Sequence, residues 1–514
     1  MNMPLLGSLI KNAIELGGYQ KQPVVDGTKV QKKVLKKLLK KSKNTLFGKQ
    51  FDFSEILSSK DFISEFQKKV PNYDYDSIHE EWWNKAQQGI SDVCWPGKIE
   101  HFALSSGTSG ASSKYIPVSS SMVRQIKKIS VRELLTLAQY DLPKDFFTKG
   151  ALMLGGSTQL KYNGVYYEGD LSGISTGKIP IWFQRFYYPG KKISKEIDWQ
   201  TKLNEIVKNA KDWDVAAIVG VPAWLQILME QIIEHYNLKT IHDIWPNLKV
   251  FVHGGVSFKP YKTGFEKLLA HPLIYIETYL SSEGFLALQT RPNIDSMQLV
   301  LDNGIFFEFV PYTKDNFDNS GNIKKNPTTL TIDQVKEDEV YAILISTCAG
   351  AWRYLIGDTV KFTDLSRYEI QITGRTKHYL NVCGEHLSQA NMNRAIELME
   401  QELGVNIKEF SVAGIKHSRM FAHKWYIGTD DKLDAKQARE VMDKYLKELN
   451  DDYRVERIAA IREVFVEIYP SKVFYDYLEL LGKTGGSFKF PRVLREQSLT
   501  NWEGYLSKIK NTSN

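Results

Sequence analysis

The run LSSGTSGASSK, Leu104 to Lys114, has little side-chain bulk and many hydrogen-bond donors. Gly107 and Gly110 let the backbone turn its N–H groups toward an anion. Ser105, Ser106, Thr108 and Ser109 add hydroxyls, and Lys114 adds a point charge. That is chemistry for the phosphates of a nucleotide. The competing reading is a plain Gly/Ser surface turn. A Walker loop is excluded because the Gly-Lys-Ser/Thr ending is missing.

Outward from this run the pattern becomes α/β. Short apolar segments at Ala151–Leu154, Ala216–Val219, Val250–Val252, Ile274–Glu277 and Ala342–Ser346 predict buried strands. Helical periodicity lies between them at Trp224–Tyr236 and Pro260–Leu269. Residues 297 to 312 and 338 to 373 are rich in strand and turn signals, which predicts a β-rich subdomain after the α/β part. The Asn-, Asp- and Lys-rich segment Tyr312–Thr329 predicts an exposed loop.

Near Gly374 the pattern changes again. Helices are expected at Gln389–Leu403 and Lys432–Glu448. Strands are expected at Ser411–Ile415, Trp425–Gly428 and Arg462–Ile468. The chain therefore divides into a large N-terminal domain over 1–375 and a small α+β domain over 376–514. Residues 29 to 43 form a basic amphipathic helix with Val30, Val34, Leu35, Leu38 and Leu39 on one face. Packing of that face on a domain is favoured over membrane-surface binding.

The chain has 514 residues, 67 Lys plus Arg against 60 Asp plus Glu, and a net charge of +7. That is a mild excess, not a nucleic-acid signature, and it suits anionic small-molecule substrates. Three cysteines (Cys94, Cys348 and Cys383) are too few and too scattered for a disulfide framework, so a cytoplasmic setting is expected. No stretch is long and apolar enough to cross a bilayer. The ten histidines lack zinc spacing. Gly173 to Gly177 matches Gly-x-Ser-x-Gly, but Pro180 and a β-like run follow it, where a hydrolase needs a helix.

Four further motifs carry chemistry. Thr278–Gly284, TYLSSEG, follows a strand end, where α/β proteins bind ligands. Tyr279 would lie against a planar base and Glu283 would hold a magnesium ion; a Ser-capped helix start is the alternative. In WRYLIGDTVKF, Asp358 follows Gly357 at an expected turn, where it would accept from ribose hydroxyls or serve its own turn. Arg375, in the segment Ile372–Ser388, would reach a phosphate or form a structural salt bridge. The Gly-rich loop Gly482–Val493 would deliver Lys489 to a site and withdraw it; a solvated hairpin is the plain reading.

In this order the motifs resemble the auxin-responsive-promoter (Gretchen Hagen three) family of acyl acid amido synthetases. The likeness rests on Ser105 to Gly110 with Lys114 and Pro117, and on Tyr279-Leu280-Ser281-Ser282-Glu283. It also rests on Arg353-Tyr354-Leu355-Ile356-Gly357-Asp358, on Lys489-Phe490-Pro491-Arg492, and on Gly169-Asp170-Leu171-Ser172-Gly173. The resemblance implies an adenylate-forming, luciferase-like α/β fold, with a large N-terminal domain and a small mobile C-terminal domain. It implies a ligase that uses ATP and Mg2+ to turn a carboxylic acid into acyl-AMP plus pyrophosphate, then passes the acyl group to an amine, usually an amino acid.

By this resemblance the Ser106–Gly110 loop and Lys114 hold the β and γ phosphates. Gly254, Gly255 and Tyr279 face adenine, Asp358 binds ribose, and Arg375 meets ribose or the α-phosphate. Ser282 and Glu283 belong to the nucleotide site, with magnesium on Glu283. Lys489 enters for adenylation and leaves for amide formation. Val221, Trp224 and Leu225 are candidates for the acyl pocket, and core packing explains them equally well. Leu280 and Leu355 stand where plant members usually have Ala and often have Arg, so the acid remains unassigned. The alternatives are an acyl-coenzyme A ligase, a nucleotide-binding protein without turnover, and a membrane-associated protein acting through the basic helix.

Overall fold

The computed structural model describes residues 11–12, 26–105, 114–176, 181–255, 258, 262–318, 321–376, 379–380, 382–383, 385, 387–418, 420–481 and 490–512. It has two compact units. One comprises residues 1–104 and 115–377, the other residues 105–114 and 378–514.

The strands of the N-terminal part run in chain order from β1 (His101–Ser105) and β2 (Lys114–Val118) to β3 (Gly150–Leu154), β4 (Lys161–Tyr162), β5 (Tyr167–Gly169) and β6 (Tyr187–Tyr188). They continue with β7 (Val215–Gly220), β8 (Val250–Gly254), β9 (Ile274–Ser281), β10 (Gly284–Leu288) and β11 (Met297–Leu299). The last are β12 (Ile305–Pro311), β13 (Val340–Thr347), β14 (Tyr354–Asp364) and β15 (Glu369–Arg375). β2, β1, β5 and β4 make a small sheet. The other eleven form one sheet in the order β12-β13-β14-β15-β11-β10-β9-β8-β7-β3-β6.

The expected β-rich part is present at 297–311 and 340–375, and its strands join the α/β strands in this one sheet. From β6 to β9 neighbours pair in parallel, as strand–helix alternation dictates. From β9 to β12 every pairing is antiparallel. The β-rich part is thus the antiparallel half of the sheet. β12 and β13 are buried along nearly their whole length, because the apolar runs Ile305–Pro311 and Val340–Thr347 are covered on both faces.

The antiparallel half is covered by N-terminal helices, including Gly27–Ser42 and Phe62–Lys69. Phe47, Phe53 and Phe66 surround Trp352, with Phe53 edge-on to it at 4.8 Å. Each such buried side chain contributes roughly 1.5–3 kcal/mol of burial energy. The basic helix runs Gly27–Ser42, capped by Asp26. Leu35, Leu38 and Leu39 are in the core, so its apolar face is occupied by its own domain.

Several smaller expectations shift. The helix expected at Pro260–Leu269 is Lys262–Glu266, with 259–261 outside the described residues. Ser175 lies inside the helix Leu171–Thr176, not on a sharp turn between strand and helix, and a 3-10 segment, Ile181–Phe186, comes next. The loop at 312–329 is not wholly exposed. Asn316 and Phe317 are buried, Phe317 packs on Tyr312, and Phe317 bridges Ile323.

The second unit holds a two-stranded pair, β16 (Tyr379–Leu380) with β17 (Leu387–Ser388). Its main sheet joins β18 (Ile407–His417), β19 (Met420–Thr429), β20 (Ile461–Tyr469) and β21 (Val493–Leu494) in the order β20-β19-β18-β21. The helix Gln389–Leu403 has the expected bounds, and the next is Ala435–Leu449. The helices Asp451–Ala459, Ser471–Leu480 and Glu496–Thr512 complete the described part.

Candidate active site

The site grows from the point where the sheet changes from parallel to antiparallel. β9 continues to Ser281, so Tyr279 sits within the strand rather than after it. Ser281 pairs with Gly284 at the start of β10, which makes Ser282 and Glu283 the tip of a hairpin, not a helix start. Gly284 has φ +144°, and a Cβ there would lie 2.9 Å from Ile305 Cδ1, so the turn requires glycine. The backbone N–H of Glu283 donates to Ser281 Oγ at 3.3 Å. Glu283 itself is buried.

Asp358 also differs from expectation. It lies inside the long strand β14, not in a turn, and is cross-strand partner to Arg375, the last residue of β15. Arg375 Nε donates to Asp358 Oδ1 at 2.6 Å, and the Tyr279 hydroxyl donates to Asp358 Oδ2 at 2.5 Å. The sheet order thus brings three separate sequence motifs onto one carboxylate. Burial, reinforced by Asp358, pushes the Tyr279 phenol well above its ordinary range, so it stays protonated and keeps donating. The Asp358 and Arg375 side chains remain 15% and 25% exposed. Each Asp358 oxygen spends one acceptor site on a named partner and keeps capacity for a ligand hydroxyl.

Tyr354 begins β14, the strand that carries Asp358. It is fully buried, and its hydroxyl has no partner among the described residues. Burial, with Glu283 as the largest charge contribution, raises its pKa well above normal. Glu283 is a single buried carboxylate. No group of three or more His, Cys, Asp or Glu side chains able to hold a metal occurs among the described residues, so a Mg2+ ion on Glu283 would draw its other oxygen ligands from phosphate and water.

Gly254 ends β8, and a Cβ there would lie 2.5 Å from the Thr278 carbonyl oxygen. Gly255 follows with φ +82°. Only glycine fits either place, and the pair leaves backbone uncovered at the strand's carboxyl end. Val221 is next to this turn: a Cβ on Gly255 would sit 3.5 Å from Val221 Cγ2. Trp224 packs edge-on against Trp199 at 4.2 Å, and Leu225 is fully buried. Of the three acyl-pocket candidates, Val221 therefore borders the glycine turn, while Leu225 belongs to the core.

Ser105 ends β1, and Lys114, largely buried, begins β2. Ser106, Gly107, Thr108, Ser109, Gly110 and Lys489 lie outside the described residues.

Two features escaped the sequence reading. His253, just before the glycine pair, is buried with Nδ1 unpartnered among the described residues. Burial lowers its pKa to about 4, so it is neutral. Its position before Gly-Gly at a strand end was the available signal. Arg353, in the motif that carries Asp358, does structural work. It pairs with the fully buried Glu308 at 3.1 Å and donates to the carbonyls of Gln67 and Val70. It holds φ +42° while doing so. Glu308 interrupts the apolar run IFFEFVP, and that break was the clue to a buried ion pair.

Family models agree with this architecture. Residues 22–204 match the GH3 family N-terminal domain, 298–375 its central domain and 390–498 its C-terminal domain. The chain belongs to the GH3 family. Among curated relatives, an indole-3-acetic acid-amido synthetase of Arabidopsis thaliana, GH3.2, is 23% identical over 84% of this chain and 90% of its own length. A jasmonoyl-L-amino acid synthetase of Nicotiana attenuata, JAR6, is 20% identical over 74% of each chain. Among solved structures, the acyl acid amido synthetase AtGH3.15 superposes with a TM-score of 0.59 at 17% identity, covering 96% of both chains. A 2-hydroxyisobutyryl-CoA ligase also gives 0.59, at 14% identity over 95% of this chain and 94% of its own. The fold is that of the adenylate-forming enzymes. No helix among the described residues is long and apolar enough to cross a membrane.

Proposed function

We propose that this protein is an ATP-dependent ligase that adenylates a carboxylic acid and transfers the acyl group to an amine, in keeping with the amido synthetases of its family. The observation that carries the reading is the Tyr279–Asp358–Arg375 rung beside the Glu283 hairpin. In the first step a carboxylate oxygen attacks the α-phosphorus of ATP. The bond to the bridging oxygen of the β-phosphate breaks, and pyrophosphate leaves. In the second step the amine nitrogen attacks the acyl carbon, AMP leaves with the bonding pair, and the amine gives up a proton to solvent.

Two anions must meet, so the site needs oriented positive charge rather than a covalent nucleophile. Asp358 accepts from the ribose hydroxyls, and Arg375 is fixed by the same carboxylate and meets ribose or the α-phosphate. The Gly254–Gly255 backbone and the Tyr279 ring frame the base. Ser105 to Gly110 and Lys114 hold the outer phosphates, and Lys489 serves the adenylation step. Magnesium on Glu283 would neutralise phosphate charge. The domain boundary at 375/376 and a small domain that moves between the two steps belong to this reading. The three cysteines, all free and buried, suit a reducing cytoplasm.

The test is carboxylate-dependent ATP–pyrophosphate exchange across aryl, indole and fatty acids, with Glu283→Ala as control. Exchange that the variant loses supports adenylation. AMP release stimulated by amino acids supports the amide product. Release stimulated only by coenzyme A overturns it in favour of a thioester. ATP binding with no exchange for any acid overturns the reading as an enzyme.

A further inference from the structure

A concave feature lined by none of the Asp358, Tyr279 or Arg375 side chains lies elsewhere in the first unit. It is a cleft of about 320 Å³ between the helix Gly27–Ser42 and the helix Ser120–Thr136. Lys33, Lys37 and Lys41 line one wall, Arg124 and Gln125 the other, and Trp95 is also in the lining. Lysines four apart on a helix stand about 6 Å from one another along the axis, so the wall carries three positive charges in a row. The same lysines, with Lys36 and Lys40, continue into an open groove.

Like charges four apart destabilise a helix, and this helix contains no acidic residue to offset them. Among the described residues, Lys33, Lys37 and Lys41 make no ion pair, and Lys41 lies 5.9 Å over the Trp95 ring. The one carboxylate in the cleft, Asp302, is already held by Arg132 through both oxygens at 2.8 Å and by Lys128 at 2.9 Å. It therefore does little to cancel the field. The amide oxygen of Gln125 is buried with no partner among the described residues, so an occupant that also donates a hydrogen bond fits best.

Hydrophobic insertion into a lipid surface is disfavoured, since Leu35, Leu38 and Leu39 are already in the core. What remains is a concave, basic, partly aromatic recess. We propose that this cleft binds a small polyphosphate anion, through Lys33, Lys37, Lys41 and Arg124, at a site separate from the Asp358 rung. A partly protonated di- or triphosphate supplies both the charge and the P–OH donor that Gln125 lacks. A free anion and a lipid headgroup share this phosphate chemistry, and the test separates the two.

Inorganic tripolyphosphate is titrated by calorimetry into the full-length protein and into two variants of equal charge change. One removes the cleft lysines (Lys33→Gln, Lys37→Gln, Lys41→Gln). The other removes lysines of the same helix and its C-cap that lie outside the cleft (Lys29→Gln, Lys32→Gln, Lys43→Gln). The expected result is at least about tenfold weaker binding, or loss of one site, in the cleft variant, with the control variant within about twofold of wild type. Equal weakening in both variants overturns the proposal, because net charge then explains everything. Unchanged binding in the cleft variant overturns it as well. Co-sedimentation with phosphatidylcholine vesicles that contain phosphatidylinositol 4,5-bisphosphate, whose headgroup carries phosphomonoesters with P–OH groups, gives the second arm. Cleft-dependent vesicle binding alongside tripolyphosphate binding assigns the phosphate to a lipid. Vesicle binding without tripolyphosphate binding overturns the small-anion site. Both arms read binding alone, so they stand apart from the fate of the ligase reading.

Discussion

Asp358 in the first unit and Glu385 in the second are both carboxylates gripped by a nitrogen-bearing side chain, but their surroundings leave them opposite capacities. Asp358 accepts once on each oxygen and stays partly exposed with Arg375. Glu385 is sealed at 0% exposure with His423. Its oxygens accept from His423 Nε2 and from the backbone N–H groups of Val382 and Cys383, all at 2.9 Å, and from the Cys383 thiol at 3.4 Å. Its pKa is lowered to about 2: burial opposes the charge, and His423 and the backbone donors outweigh it. A carboxylate binds a ligand with the acceptor capacity its own fold leaves unused. Glu385 has none left and holds the β16–β17 connection, whereas Asp358 has a reserve.

The contrast breaks most easily at Glu385. Glu385→Ala leaves His423 buried without its partner and is expected to destabilise the protein by about 3–5 kcal/mol. Calorimetry should show a clearly lower Tm; a change under about 1 kcal/mol would mean the cluster is not structural. The pH dependence follows in size. A depressed carboxylate contributes stability that is present above its unfolded pKa and disappears as pH falls through its folded one. Glu385 should therefore contribute roughly 3 kcal/mol above about pH 5, lost as pH falls toward about 2. Glu456, beside Glu385, has the opposite sign. Burial raises its pKa well above normal, so stability falls as pH rises above the ordinary carboxylate range. Glu456→Gln should flatten that alkaline limb in denaturant titrations at several pH values.

Asp358→Asn should leave the Tm nearly unmoved while costing about 1.5–3 kcal/mol of ATP affinity, or 10- to 100-fold, in equilibrium binding. A large drop in Tm with intact ATP binding would make Asp358 a second Glu385. Tyr279→Phe is the smallest test. It removes one hydrogen bond, worth about 1 kcal/mol, and should raise the apparent KM for ATP in exchange assays about fivefold. No change would show that Arg375 alone orients the carboxylate.

Much of this was legible in the sequence, for particular reasons. The parallel strands are visible because largely buried strands leave short apolar runs such as Val215–Val219 and Val250–Val252. Tyr279, Glu283, Asp358 and Arg375 were legible as motif residues, but their meeting was not. It depends on β11 pairing with β15, which no local pattern announces. Asp358 read as a turn because Gly357 precedes it, yet Gly357, at φ +96°, sits inside β14. The second unit was recognised but under-counted. Asp451–Ala459 is largely polar, and its helical signal was weak beside its neighbour's. The Glu308–Arg353 pair is signalled only by one charge in an apolar strand, which does not name its partner 45 residues away.

The split order of the large sheet also sets a timetable. After β11 the chain travels to the far edge, lays down β12, β13 and β14, and only then returns with β15 to close beside β11. Tyr279 and Asp358 are 79 residues apart in the chain, and Arg375 is later still. Contacts that distant cost loop entropy and form slowly. On the ribosome the parallel half can therefore be in place while the Tyr279–Asp358–Arg375 rung does not yet exist. The rung arises only when the last strand of the sheet has been made, so its formation marks the completion of this domain.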